Sequence, residues 1–301
     1  MSLSHYIKEI GRGRDGARAL DRAQAADLMG HILDGRVSDL ELGAFCLAMR
    51  IKGETDQEMA GFLDATHARL HPISASGPVV VLPSYNGARK LPVLTPLLAH
   101  LLAREGLAVV MHGTPTESTR VTSQDVLGAM GIAPLHQTTR AVQTHEVVFV
   151  PTEVLCPGLK RLLDVRRVVG LRNPAHSLVK LMNPSTQADA LLVSSYTHPE
   201  YATSMADTFK LTGARALLLR GTEGEVVADA RRTPQMDAFV RGIRTPLMPT
   251  QAGSLIKLPE LPTDIDATTT ARYTEGVLKG ELPVPAPLAA QVQAVLKALS
   301  L

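Results

Sequence analysis

Short aliphatic runs alternate with helical stretches after about residue 77, and this alternation restricts the fold more than any other feature of the chain. Helical stretches such as 95–104 and 199–211 separate the runs. Strands that alternate with helices are typical of a mostly parallel sheet flanked by helices, so we predict an α/β domain over residues 77–301. The predicted strands lie at 78–82, 107–111, 147–150, 190–194 and 216–219.

The first 70 or so residues carry three helix-start signals in close succession. In each, an N-cap side chain is followed three residues later by a Glu or Gln that bonds back to it. The signals are Asp21 with Gln24, Ser38 with Glu41, and Thr55 with Glu58. Gly35 and Gly53 are placed to end two of these helices. We therefore predict a small helical domain over residues 1–72, followed by a Pro- and Ser-containing linker.

A Pro- and Thr-rich stretch at 245–270 interrupts the C-terminal part of the chain. It lacks the period of a helix or a strand, which predicts a long surface excursion. Apolar residues at helical spacing return at 288–299 and predict a last helix.

The composition is that of a soluble globular protein. Of 301 residues, 45% are hydrophobic and 20% are charged, and no apolar run approaches the roughly 20 residues that a membrane span requires. Residues 1–10 lack the pattern of a secretory signal, so we expect a cytoplasmic protein with no membrane partner. The formal net charge of +2 is too small to indicate a polyanionic partner by itself.

The two cysteines, Cys46 and Cys156, do not form a recognisable framework. Neither has another Cys or a His at metal-ligand spacing. We therefore expect two buried free thiols and neither a disulfide nor a zinc site.

Residues 34–55, 112–131 and 165–184 are three segments that resemble the superfamily of anthranilate phosphoribosyltransferases and class II nucleoside phosphorylases (glycosyltransferase family 3). Residues 34–55 resemble its N-terminal helical domain. Residues 165–184 resemble, without gaps, a family stretch that reads VRREL-G and then GPL-NP. Residues 112–131 match the length of a family segment that begins KHGNR. The resemblance implies a two-domain fold in which residues 157–184 join the helical domain in space.

The phosphate-binding turn of the family is altered in this chain. In the family a GTGGDG turn after the first strand lets backbone N–H groups approach pyrophosphate, because glycine has no Cβ to obstruct them. The aligned residues are 83–90, where Gly87 is the glycine that remains and Arg89 and Lys90 are added cations. The resemblance therefore predicts a loop that binds anions through cationic side chains.

The magnesium-binding residues of the family are altered as well. The family's Asp-Glu pair aligns here with Val226 and Val227, and a valine side chain has no oxygen with which to bind magnesium. Glu223 and Glu225 lie close by and would supply oxygen ligands only after a register shift of the turn. We expect no magnesium and no other cofactor.

The candidate anion-binding residues are the cationic, polar or aromatic residues at positions aligned with the family's ligand-binding segments. The resemblance places 165–184 at a cleft between the two domains and aligns Arg166 with the arginine that the family uses against anthranilate's carboxylate. Tyr85 is the aromatic side chain placed to stack on a base. The candidates are Tyr85, Asn86, Gly87, Arg89, Lys90, His112, Gly113, Arg120, Arg166, Arg167, Arg172, Lys180 and Arg220.

His112 has two interpretations. It is either a catalytic or ligand-contacting imidazole, or a hydrogen-bonded histidine of the core at the end of a strand. No other residue is a candidate for catalysis.

The substitutions run in one direction, from glycines and acids to cations, and they favour anion binding without a metal. The loop motif at 85–90, followed by 94–98, is most similar to the divergent YbiB-type branch of the superfamily. That branch implies a homodimer, associated through the helical domain, that binds nucleic acid. We therefore expect a phosphoribosyltransferase-like protein without anthranilate phosphoribosyltransferase activity. It would bind nucleic acid, namely DNA, through phosphates in a basic interdomain cleft and without sequence specificity.

Two alternatives remain open. One is an active glycosyltransferase with an acceptor other than anthranilate, in which Lys and Arg neutralise the charge that magnesium neutralises elsewhere. The other is a structural or regulatory protein whose cleft is a relic.

Overall fold

A computed structural model describes residues 3–13, 15–253 and 258–301, and the chain divides into two compact units. The helical unit comprises Met1–His71 and Thr152–Pro184. The α/β unit comprises Pro72–Pro151 and Ser185–Leu301. The predicted fold class, a small helical domain with a larger and mostly parallel α/β domain, is confirmed.

The elements follow one another along the chain in an order that assigns helices to both units and strands to the second. The helices are α1 (Ser4–Ile10), α2 (Arg22–Leu33), α3 (Asp39–Lys52), α4 (Asp56–His67), α5 (Thr95–Arg104), α6 (Ser123–Ala129), α7 (Thr152–Leu155), α8 (Pro157–Val169), α9 (Ala175–Leu181), α10 (Pro199–Thr212), α11 (Ala267–Lys279) and α12 (Ala286–Leu299). The strands are β1 (Val79–Pro83), β2 (Ala108–Gly113), β3 (Val147–Pro151), β4 (Leu191–Tyr196), β5 (Ala216–Arg220), β6 (Met236–Val240) and β7 (Ile243–Met248).

The helical unit is built from α1 to α4 and α7 to α9. All three predicted capping boxes are present, at the starts of α2, α3 and α4. The apolar faces of α2 and α4 pack together, and α8 and α9 pack against α2 and α4, respectively. The rings of Phe45 and Phe62 meet edge to face in this core, with centroids 6.0 Å apart. Segments far apart in sequence therefore share one core.

The α/β unit contains a seven-stranded sheet with the order β3-β2-β1-β4-β5-β6-β7. The first five strands in that order are parallel, and β6 and β7 are antiparallel. All five predicted strands are confirmed. They read as continuous aliphatic runs because helices cover both faces of a parallel sheet. The strand order reverses between β1 and β4, which is where sheets of this kind bind ligands, beyond the carboxyl ends of the strands.

The prediction of an unstructured excursion at 245–270 is wrong at both ends. Residues up to Met248 belong to β7, and Ala267 begins α11 after the N-cap of Asp266. Pro246 removes one backbone donor, but an edge strand tolerates proline because one of its sides has no partner strand. The half-solvated β7 therefore shows no strand periodicity in sequence.

Two further expectations concern the whole chain. Cys46 and Cys156 are buried free thiols, as predicted. Burial raises the pKa of the Cys46 thiol to about 12, so this thiol stays protonated and unreactive at neutral pH. Across the described ranges, no helix is both long enough and apolar enough to cross a membrane.

Candidate anion-binding site

The residues that follow β1, numbered 84–91 and here called the anion loop, lie at the point where the strand order reverses. Because the first five strands are parallel, the turn after β5 opens at the same edge of the sheet. Hydrogen bonds from the anion loop to Glu223 and Glu225 join these two segments. The site is therefore an intersection of two loops within the α/β unit.

The Glu225 carboxylate fills the first half of the anion loop. Its Oε1 accepts the backbone N–H groups of Asn86 and Gly87, both at 2.8 Å. Its Oε2 accepts the Thr95 hydroxyl at 3.1 Å and the Ser84 hydroxyl. The residue is only 2% exposed, so its charge is compensated by these donors rather than by water.

The Glu223 carboxylate fills the second half. Its Oε2 accepts the backbone N–H of Arg89 at 2.7 Å and that of Leu91 at 3.3 Å. The N–H of Lys90 lies 3.0 Å from Oε1 and 3.1 Å from Oε2. Unlike Glu225, Glu223 is half-buried.

The backbone donors of the anion loop are thus satisfied within the unit. The remaining N–H of the run 86–91, that of Ala88, donates to the Val121 carbonyl at 2.7 Å. Gly87 adopts a φ of 72°, and a Cβ there would lie 2.7 Å from the Val121 oxygen, so this turn requires glycine. The donors that a phosphate would use in such a loop are bound to the chain's own carboxylates.

Four exposed cations lie around this intersection of the two loops. Arg89 and Lys90 have exposed side chains in the anion loop, and Arg220 is exposed at the end of β5. The fourth, Arg231, bonds the Asp229 carboxylate at 2.7 Å. That hydrogen bond raises the pKa of Arg231, and the Glu223 charge adds to the effect.

The pKa of Asp229 reflects the nearby charges of Arg231 and Arg220. Burial would raise it, but hydrogen bonds from Arg231 and the charges of Arg231 and Arg220 outweigh burial and lower it. Arg231 was missed by the sequence reasoning, although the Arg231-Arg232 doublet is visible in the sequence.

Comparison with known proteins identifies the family of this chain. The helical bundle domain of the glycosyl transferase family matches residues 4–69, and the a/b domain of that family matches residues 91–234. YbiB of Escherichia coli (strain K12) is 44% identical, over 99% of this chain and 94% of the relative. The chain belongs to the glycosyl transferase family. Within it, the chain is a divergent YbiB-type member.

Anthranilate phosphoribosyltransferases are more distant members of the same family. The enzyme of Symbiobacterium thermophilum is 29% identical, over 93% of this chain and 82% of the relative. The solved anthranilate phosphoribosyltransferase (TrpD) of Thermus thermophilus superposes with a TM-score of 0.71 at 24% identity, covering 95% of this chain and 85% of that chain. At this identity the structural likeness establishes the fold alone.

The valines predicted to align with the family's acidic pair lie in the core of the α/β unit. Val226 and Val227 are both buried among aliphatic side chains. The oxygen ligands that remained as alternatives, Glu223 and Glu225, accept hydrogen bonds from the anion loop. Within the described parts of the chain, no group of three or more His, Cys, Asp or Glu side chains is placed to hold a metal ion. These residues do not fit a magnesium site of the family type.

Several candidate residues of the α/β unit are buried. Tyr85, Asn86 and His112 have almost no exposed surface. Stacking of Tyr85 on a base would therefore require its ring to move, and the burial of His112 favours its interpretation as a core histidine. A Cβ at Gly113 would lie 2.0 Å from the Ser84 oxygen, so this glycine lets the end of β2 approach the anion loop.

Arg120 approaches the anion loop from the segment before α6. Its Nε bonds Glu117 at 3.0 Å, and its guanidinium lies 3.4 Å from the Asn86 carbonyl oxygen. The guanidinium thus supports the loop backbone as it stands.

The other basic candidates belong to the helical unit. Arg166 and Arg167 lie in the last turn of α8, and Lys180 lies in the last turn of α9. Arg172 lies between these helices, and Arg167 is an exposed side chain paired with Asp164 at 3.4 Å. That these residues share a cleft with the anion loop stays a prediction.

Proposed function

We propose that this YbiB-type protein is a cytoplasmic nucleic-acid-binding protein that holds DNA by its phosphates without reading its sequence. The observation that carries the proposal is the anion loop, where the Arg89 and Lys90 side chains are exposed while their backbone N–H groups are bound to Glu223. Such a loop presents two cationic side chains at its surface. These suit the phosphates of a polyanion, which carry no base-specific information.

The same observation argues against phosphoribosyl transfer to anthranilate. Transfer from phosphoribosyl pyrophosphate requires donors or a metal to stabilise the pyrophosphate that leaves. Here Glu225 holds the N–H groups of Asn86 and Gly87, and hydrophobic Val226 and Val227 align with the metal-binding acids. We propose that anthranilate phosphoribosyltransferase activity is absent.

The two statements are tested together by one pair of measurements. Fluorescence anisotropy with unrelated duplex DNA sequences should show binding of similar affinity that weakens steeply as salt is added. A turnover assay with phosphoribosyl pyrophosphate, magnesium and anthranilate should show no product. Sequence-dependent binding, or no binding at low salt, contradicts the DNA proposal. Formation of phosphoribosyl anthranilate contradicts the proposed loss of activity, and turnover with another acceptor would select the glycosyltransferase alternative.

We also propose that the protein is a homodimer joined through its helical unit. On α3, Leu40 is 83% exposed and Ile51 is 62% exposed, and Leu47 lies between them on the same face. Large aliphatic side chains at helical spacing on one exposed face are suited to packing against an identical face. A second copy of the chain is the partner that this surface supports.

A further inference from the structure

The two carboxylates in the anion loop differ in how firmly they are held. Glu225 is buried and accepts two side-chain hydroxyls in addition to two backbone N–H groups. Removing it would leave the two backbone N–H groups and the Thr95 hydroxyl without this acceptor in a buried site. Glu223 is half-buried, and its carboxylate bonds to backbone N–H groups at the surface. Of the two, Glu223 is the one that another anion can displace.

The backbone of Glu223 is held independently of its carboxylate. Its φ of 54° lies in the left-handed region, and Gly224, the next residue, has a φ of 90°. The Glu223 carbonyl oxygen accepts the Asn86 side-chain N–H at 2.6 Å. Release of the carboxylate can therefore leave this turn in place.

The donors that Glu223 occupies match a phosphate group. Three consecutive N–H groups, from Arg89 to Leu91, converge on two carboxylate oxygens. A phosphate group presents two terminal oxygens as a diester, or three as a monoester or an end of pyrophosphate, and it carries at least the same charge. The Glu223 charge contributes to the raised pKa of Arg231. The Arg89 and Lys90 side chains are exposed on the loop that binds Glu223.

We propose that the backbone N–H groups of Arg89, Lys90 and Leu91 form a binding site for one phosphate group, and that Glu223 occupies this site as an exchangeable internal anion. The ligand class is a phosphate monoester, a phosphodiester or a pyrophosphate. In the free protein Glu223 competes with it and lowers its affinity. Where the ligand is nucleic acid, this inference rests on the function proposed above. Glu223 then weakens DNA binding by competing with a DNA phosphate for the site.

The test uses the full chain with Glu223→Asn, which is neutral, too short to reach the loop and tolerant of the left-handed backbone. Glu146→Gln is the matched control. It removes the same charge from a carboxylate that, like Glu223, accepts a backbone N–H, that of Gln143 at 2.8 Å, and that is paired with the Arg140 side chain. Glu146 precedes β3, so it lies at the opposite edge of the parallel sheet.

Inorganic pyrophosphate is the first probe, titrated by calorimetry at low salt. We expect Glu223→Asn to bind it at least about tenfold more tightly than the native protein, because three donors become available. Glu146→Gln should bind it like the native protein. The backbone amide signals of residues 89–91 should shift during the titration of the Glu223 variant. An unchanged pyrophosphate affinity, or an equal gain in Glu146→Gln, overturns the inference.

Two further measurements keep the test decisive. Circular dichroism and thermal melting establish that the variants fold, and Glu223→Gln, which keeps the side-chain length, replaces Glu223→Asn if the latter does not. A gain in pyrophosphate affinity by either folded variant is required.

Duplex DNA is the second probe and separates the two proposals. If DNA phosphates use the site, Glu223→Asn should bind duplex more tightly than the native protein. The slope of log affinity against log salt should then be steeper by about one. A pyrophosphate gain without any DNA binding upholds the phosphate site and contradicts the proposed function. DNA binding without a gain in pyrophosphate affinity upholds the proposed function and contradicts the phosphate site.

Discussion

The Glu225 carboxylate accepts the backbone N–H of Gly87 at 2.8 Å, although the two residues are 138 positions apart in sequence. Gly87 follows β1 and Glu225 follows β5, and the parallel sheet brings both loops to one edge. The turn after β5 thus sends a carboxylate into the anion loop. The donors of this loop are bound by carboxylates of the chain itself.

Stability should depend strongly on Glu225. Glu225→Ala leaves two backbone N–H groups and the Thr95 hydroxyl without their acceptor in a buried site. We expect the free energy of unfolding to fall by about 2–4 kcal/mol, measured by urea denaturation. Glu146→Gln, at a more exposed carboxylate, should cost less than about 1 kcal/mol. Equal losses in the two variants would contradict the structural importance of Glu225.

Introducing an acidic pair at Val226 and Val227 should destabilise the protein without creating a magnesium site. Val226→Asp with Val227→Glu would place two carboxylates where the native side chains are buried among aliphatic residues. Unpaired charges in such a place cost several kcal/mol each, so we expect a large fall in melting temperature. Calorimetry with magnesium should detect no site. A stable variant that binds magnesium and turns over phosphoribosyl pyrophosphate would contradict this expectation.

The central strands were predictable from sequence, whereas the edge of the sheet was not. Buried parallel strands are continuous aliphatic runs, which is why residues 79–83 and 216–220 stand out. In β6 the strand includes Asp237, and in β7 it includes Arg244 and Pro246. Arg244 and Pro246 are tolerated because the edge strand β7 is partly solvated. Asp237 is buried on β6 and is paired with Arg244 at 2.7 Å. The polarity of these residues hides the strand period.

For the site, the exposure of Arg89 and Lys90 follows from sequence, but the partners of their backbone do not. Which carboxylate reaches the anion loop depends on the strand order and on the unusual φ of Glu223, neither of which is encoded locally. The burial of Tyr85 was missed for a related reason. A loop residue is read as exposed until its tertiary neighbours are known.

The helical unit should lose stability in acid through Asp34. Hydrogen bonds from Arg69 lower the pKa of the Asp34 carboxyl from 3.8 to about 2. Because the folded value lies below the unfolded one, the pair stabilises the fold above about pH 4 and loses that contribution as the pH falls toward about 2. Urea denaturation across this range should show a smaller loss for Asp34→Asn. The difference should stay below about 1 kcal/mol, because the pair is partly solvated. An identical acid dependence in both proteins would contradict this assignment.

Dimerisation should depend on the exposed face of α3. Leu40→Glu with Ile51→Glu places charges on that face, and we expect a single-chain mass by light scattering where the native protein shows a two-chain mass. Val168→Glu is the control, because Val168 is 89% exposed on α8, a different helix. A native protein that is already a monomer, or a control that dissociates equally, would contradict the proposed interface.

Phosphate contact by the anion loop should be visible in the salt dependence of DNA binding. Changing Arg89 and Lys90 together to Ala should weaken binding about equally for unrelated sequences, because neither side chain reads a base edge. The slope of log affinity against log salt should become shallower by about one to two units. Folding should be nearly unchanged, since both side chains are exposed.

The control for this double change must remove the same charge without disturbing the fold. Arg69 is a basic residue outside the anion loop, but it is unsuitable as a control because it holds Asp34 through two hydrogen bonds. Lys210 and Lys279 are better, since each makes only an exposed pair within its own helix, α10 or α11. If their replacement by Ala weakens DNA binding as much as the loop pair does, binding reflects the diffuse charge of the protein. A loss confined to Arg89 and Lys90 locates the phosphate contacts at the anion loop.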